Sequence, residues 1–181
     1  MKKLIILFIG ISFFLPGCAY PFRYDGTYKG KVIDADTEQP IEGVVVLGVW
    51  ETVTITPAGG THDYYDAKET VTDKNGEFEI SGKGLRILSN LEPMTAYIFK
   101  AGYSYEAIDW TDLFKRLHEE IKWEGDKAII PLKKLTMEER RRGLGPPSPP
   151  DEANKERIKL MLKEINKDRA EQGLGPIDVG R

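Results

Sequence analysis

The segment Thr27–Val49, TYKGKVIDADTEQPIEGVVVLGV, reads as a strand, a polar turn and a second, very apolar strand. In the first strand Tyr28, Gly30 and Val32 fall on one face, and Lys29, Lys31 and Ile33 on the other. Asp36-Thr37-Glu38-Gln39-Pro40 is dense in turn formers, and Gly43 permits a bulge or a close approach. The second strand, Val44 to Trp50, is apolar on both faces: Val44, Val46 and Trp50 point one way, Val45, Leu47 and Val49 the other. A strand of a two-sheet sandwich needs only one buried face, so this pattern predicts that something covers the second.

Working downstream, Thr52–Thr56 is β-like and then loosens into a Pro-Gly-Gly loop. KETVTDKNGEFEI, residues 68–80, is expected to be a β-hairpin. Val71 points in, Asp73-Lys74-Asn75-Gly76 turns, and Phe78 and Ile80 return inward. A loop follows over residues 81–93. A strand over Met94–Lys100 sets Tyr97 and Phe99 against Ala96 and Ile98, and a last strand is expected near Lys127–Leu132.

The strings GKVIDADTEQPIEGVVV, TVTDKNGEFEI and FKAGY together resemble the carboxypeptidase regulatory-like domain. The resemblance implies a mainly β fold, a transthyretin-like, seven-stranded Greek-key β-sandwich, over residues 27–135. It also implies a non-catalytic accessory module, because that domain recurs as spacer, scaffold or binding unit rather than as an enzyme.

The amino terminus carries a different message. Met1-Lys2-Lys3 is a positive start and Leu4–Leu15 an apolar run too short for a hydrocarbon core of about 30 Å. That is the pattern of an export signal. Leu15-Pro16-Gly17-Cys18 resembles the lipobox of bacterial lipoproteins, with Pro16 where Ala or Ser is commoner. The resemblance implies removal of residues 1–17, acylation of Cys18 and attachment to the membrane. Ala19 rather than Asp after the cysteine implies the outer membrane if the cell is Gram-negative. Cys18 is the sole cysteine, so the core must hold without an internal disulfide. Residues 18–26 form an aromatic tether in which Tyr20, Phe22 and Tyr24 alternate. Packing as an added edge strand, or disorder, is expected there rather than a binding role, although tyrosine also suits lipid headgroups.

Apolar residues make up 40% and charged residues 30% of the 181-residue chain, which places it among ordinary globular proteins. The net charge of −3 argues against general nucleic-acid binding, which needs concentrated positive charge. The body is acidic and the region after residue 132 mildly basic.

Two helical regions are expected. Trp110, Leu113, Phe114, Leu117 and Ile121 recur at helical spacing over about residues 110–121, with Asp109 as N-cap and Ile108 and Leu113 as a staple. The second face of the apolar strand (Val45, Leu47, Val49) is its candidate dock. The tail, residues 136–181, contains a capping box, Thr136 to Glu139, and a stiff Pro146–Pro150 linker. A second helix of about 150–171 is capped by Ser148 or Asp151. Its stripe of Ile158, Met161, Leu162 and Ile165 is a candidate partner face, for the sandwich, another copy or an envelope protein. Gly143 and Gly173, each followed by leucine, predict Schellman stops.

Chemistry-bearing patterns are sparse. His62 and His118 are the only histidines, and neither HExxH nor CxxC occurs. Ser81, Ser89, Ser104 and Ser148 lack a nucleophile-elbow context. Asp34, Asp36, Asp73, Asn75 and Glu77 offer oxygens to calcium, but turn formation accounts for them. Gly82-Lys83-Gly84 is too short for a phosphate loop. Tyr64 and Tyr65 form a candidate platform for sugar, to be weighed against a half-buried aromatic rim. No catalytic residue, metal site or cofactor is expected. The expected role is a structural or protein-interaction module, with carbohydrate binding as the alternative.

Overall fold

The computed structural model describes residues 22–57, 59–110, 121–142 and 155–177. Strands β1 (Phe22–Asp34), β2 (Val45–Thr56), β3 (Gly59–Val71), β4 (Glu77–Ile87), β5 (Thr95–Phe99), β6 (Glu106–Asp109), β7 (Lys122–Glu124) and β8 (Lys127–Leu132) are followed by helices α1 (Met137–Arg141) and α2 (Lys159–Glu171). A single 3₁₀ turn, Lys155–Arg157, precedes α2. The strands form two four-stranded sheets, ordered β4-β1-β8-β7 and β3-β2-β5-β6. Among the described residues only β1 and β8 pair in parallel. The chain is thus a mainly β sandwich, with eight strands among the described residues where the resemblance implied seven.

The alternation read from the sequence sorts into two cores. Val44, just before β2, and Val46 and Trp50 of β2 meet Tyr28 and Val32 of β1, Phe78 and Ile80 of β4, and Ile130 and Leu132 of β8 between the sheets. Ala96 and Ile98 of β5 join them there. Val45, Leu47 and Val49 face outward and form a second core with Ala67 and Phe99.

What covers that second face is α2, through Ile158, Met161 and Ile165. This corrects the expectation that the 110–121 segment docks there. Residues 111–120 lie outside the described residues, and both ends of the expected stripe, Trp110 and Ile121, pack on the core between the sheets. Asp109, the expected N-cap, ends β6 instead.

Three further expectations change. Residues 68–80 are not a hairpin, since β3 and β4 belong to different sheets. Thr72 is the pivot: its buried hydroxyl donates to Ile41 O (2.6 Å) and accepts from Val44 N–H (2.9 Å). The chain therefore crosses between layers there, and Val71 points to solvent, 46% exposed. The Asp73–Gly76 turn forms as read, with Asp73 accepting from the N–H groups of Asn75 and Glu77. The real hairpin joins β2 to β3 in register from Val45↔Val71 to Thr56↔Gly59, so pairing resumes at Gly59 where a loose loop was expected. Likewise β4 continues to Ile87 instead of ending at Ile80.

Helix α1 has the expected capping box. Thr136 accepts from Glu139 N–H (3.3 Å), and Glu139 accepts from the Thr136 N–H (2.8 Å). The hydrogen bond from Lys133, followed by those from Thr136, pushes the Glu139 pKa down from 4.5 to about 2. A depressed carboxylate pKa stabilises the fold above the ordinary glutamate range, and that contribution is lost as pH falls through about 2. An NMR titration of Glu139 should place its midpoint near 2, and Lys133→Ala should move it back toward 4.5. An ordinary wild-type midpoint would break the assignment.

Helix α2 starts later than the expected 150, and neither Ser148 nor Asp151 is among the described residues. Its start is set from another element. Glu69 of β3 accepts from Leu160 N–H (2.8 Å) and Met161 N–H (2.6 Å), filling donors that a local cap would satisfy. Burial nonetheless raises the Glu69 pKa against the pull of those two N–H groups. At the other end Gly173, at φ +76°, makes the Schellman stop: Gly173 N–H donates to Ala170 O and Leu174 N–H to Arg169 O. The second expected stop, at Gly143, lies outside the described residues.

Candidate functional site

The end of the sandwich where β1 begins gathers the least ordinary side chains. The polar node is Asp25, buried at 4% exposure. It accepts from the Tyr28 hydroxyl, from Trp50 Nε1 (3.0 Å) and from Lys83 N–H (2.7 Å). Tyr28 Oη accepts in turn from Met94 N–H (3.0 Å). Burial first, then the bond to Asp25, raises the Tyr28 pKa far above its ordinary value. The node is a closed network whose members satisfy one another, and it ties β1, β2 and β4 together. Lys83 lies over the Trp50 ring, 4.1 Å from its centroid, and pairs with Asp66.

The node sits at an irregularity that reverses β1. Pairing runs Asp25↔Gly84, then Thr27↔Ser81. Beyond this bulge Tyr28 and Val32 face the core; before it, Asp25 does. Gly82 is required here, since a Cβ would overlap the carbonyl oxygens of Gly26 and Asp25. The consequence is a two-stranded ribbon, 22–25 with 84–87, whose outward face carries Phe22, Tyr24, Leu85 and Ile87. Arg23 donates to Leu91 O (2.9 Å) and Arg86 to Tyr65 Oη (3.2 Å), both toward the body.

A second cluster lies beside it. His62 Nδ1 is 3.2 Å from Glu92 and 3.7 Å from Glu51. One ligand atom from each of Glu51, His62 and Glu92 fits within 4.8 Å of the others. These three could close on a divalent ion at ligand distances of about 2.0–2.2 Å, though ion pairing of a protonated histidine needs no ion. The three residues come from β2, β3 and the β4–β5 connection, so sequence spacing carried no signal for this grouping.

The residues singled out in the sequence fare differently. Cys18 and His118 lie outside the described residues. Tyr64 and Tyr65 do not make one platform. Tyr64 packs on the outer core, whereas Tyr65 lies against Lys83 and Arg86 of β4. Neighbours along a strand point to opposite faces, which separates the pair. Ile158, Met161 and Ile165 are buried against the sandwich, so they are not an open partner face; Leu162 is half-buried. The acidic turns are spent on backbone. Asp34 accepts from Thr37 and Asp36 N–H, and the first of these is foremost in lowering its pKa. Asp73 is lowered by Glu77 N–H in the same way. Ser89 and Ser104 hydroxyls accept from Leu91 and Lys133 N–H respectively.

No family model and no curated protein matches the chain. Among solved structures, the group B streptococcus pilus 2b backbone protein is similar at 17% sequence identity, with a TM-score of 0.35. The match covers 62% of this chain and 42% of that one, less than half of the pilus protein. A likeness of that level does not establish a shared function.

Proposed function

We propose that this chain is a lipid-anchored envelope protein whose carboxypeptidase regulatory-like β-sandwich serves as a structural or protein-interaction module without catalysis. The observation that carries the reading is the junction between anchor and domain. Phe22, the first residue of β1, stands four positions after Cys18 of the Leu15-Pro16-Gly17-Cys18 sequence. At about 3.3–3.6 Å per extended residue, an acylated Cys18 holds the sandwich against its membrane. Acyl chains supply that anchorage at roughly 0.8 kcal/mol per buried CH₂. The described residues contain no helix long and apolar enough to cross a membrane, which is compatible with a lipid doing that work. The glycan-binding alternative needs tyrosines converging on one surface, and the opposed placement of Tyr64 and Tyr65 weighs against it.

The test is the intact mass of the protein made in a bacterial host with lipoprotein-processing enzymes. A chain beginning at Cys18 with diacylglyceryl and amide-linked acyl groups is expected. Cys18→Ser should remain unprocessed and carry no acyl mass. A wild-type chain with an unmodified Cys18 overturns the anchor.

A further inference from the structure

The β1–β4 ribbon presents its side chains the wrong way round for a free surface. Phe22, Tyr24, Leu85 and Ile87 are 64%, 74%, 63% and 58% exposed, and Leu88 beside them 77%. Phe22 stands opposite Ile87 and Tyr24 opposite Leu85, so the four share one face and form a continuous apolar patch. The cations Arg23 and Arg86 take the inner face. An antiparallel ribbon at a sandwich edge ordinarily does the reverse. Slippage does not explain the inversion, because a one-residue shift would break the Asp25 bonds to Trp50 and Lys83 and the packing at Gly82.

We propose that this outward face, Phe22, Tyr24, Leu85 and Ile87, lies in the headgroup–acyl boundary of the membrane to which Cys18 is attached. The proposal rests on the anchor reading above. Its occupant is chosen by reach. From Cys18 to Phe22 the chain extends no more than about 15 Å, while interfacial segments bury their apolar faces about 5–10 Å into the same layer that holds the acyl-glycerol junction. The apolar patch is therefore delivered to lipid by its own tether. A tyrosine among aliphatic side chains is the composition that such a boundary favours. The acyl chains hold the protein to the membrane, and the ribbon then sets which way the sandwich stands on it. α1 and the carboxyl end of α2 belong to the opposite end, where Gly102 N–H meets Asp168, and they would face away from the lipid.

The test uses Cys18 as the sole thiol of the chain. The chain from Cys18 to Arg181 is coupled through that thiol to a maleimide-bearing lipid in phosphatidylethanolamine–phosphatidylglycerol vesicles. All contacts described above lie within residues 22–177, so omitting residues 1–17 removes none of them. The same chain capped with a soluble maleimide is the reference. Hydroxyl-radical footprinting reads the side chains by mass. Modification of Tyr24, Leu85 and Ile87 is expected to fall at least roughly fivefold on vesicles relative to Met137 in α1 and Leu174 just after α2, which are 39% and 50% exposed. In Leu85→Ser/Ile87→Ser, altered only at outward positions, Tyr24 should lose that protection. An equal fall at the patch and at Met137 and Leu174 overturns the proposal. So does protection of the patch in the capped, lipid-free chain that rises with protein concentration, which would assign the face to a second copy. Because the maleimide stands in for cellular acylation, this result and the intact-mass result can fail independently.

Discussion

Asp168→Ala is expected to cost the fold about 3–5 kcal/mol, the range for breaking a buried ion pair from one side. Asp168 and Arg140 have side chains only 2% and 7% exposed and meet at 2.5 Å. Asp168 also accepts from Gly102 N–H (3.0 Å) and from Gln172 Nε2 (2.6 Å). One carboxylate thus joins α2, α1 and the turn after β5. Its removal leaves a buried guanidinium whose other carboxylate, Glu171 at 2.9 Å, is partly solvated, and strips a backbone N–H of its acceptor. The urea-unfolding midpoint and slope measure the loss. Arg140→Met/Asp168→Leu should recover part of it, because an apolar pair leaves no buried charge behind. A loss below about 1 kcal/mol would mean that this network does not hold the tail, since exposed pairs reach only that much.

Met161→Ala and Ile165→Ala should each cost about 2–5 kcal/mol, and together less than the sum because they share neighbours. Both side chains are 1% exposed and rest on Val45, Leu47, Val49 and Phe99. Ending the chain after Arg142 goes further. It bares that apolar face, removes the carboxylate partners of Ala101 and Gly102 N–H, and should increase self-association on size exclusion relative to the full chain. Leu160→Ala, at a residue 39% exposed on the same helix, is the control and should stay within about 0.5 kcal/mol of wild type. Matching losses at 160, 161 and 165 would mean that burial on the sandwich is not what these substitutions remove, since alanine is itself the best helix former.

Much of the sandwich was legible because period-two patterning is local. The inward and outward halves of β2 and β5, the last strand at Lys127–Leu132 and the capping box at Thr136 need only a few residues of context. Partners were not legible. Two segments offered apolar stripes for the outer face of β2, and periodicity ranks neither. The tail helix won that face with Glu69 at its amino end and Asp168 near its carboxyl end, and those carboxylates act across 92 and 66 residues of sequence. The Lys68–Ile80 reading failed for a related reason. An Asp-Lys-Asn-Gly turn joins strands whether they share a sheet or leave it, and the deciding bonds come from Thr72 to Ile41 and Val44.

The candidate surfaces divide along the same line. The mainly β class is read directly from residue order, whereas the lipobox resemblance of Leu15-Pro16-Gly17-Cys18 stands as part of the proposal above. Tyr64 and Tyr65 looked alike in sequence until β3 turned them to opposite sides. Residues 18–26 read as a tether that would pack as an edge strand or be disordered, ahead of a strand from Thr27; β1 instead begins at Phe22, and Phe22 and Tyr24 pair with β4. The bulge beside Asp25 turns their side chains outward, and that reversal depends on Trp50, Lys83 and Gly82 arriving from distant parts of the chain. Sequence by itself determined alternation and turn chemistry, because each is a property of neighbouring residues. Tertiary structure decided which apolar faces were covered and which were left open, because burial depends on what the rest of the chain brings into contact.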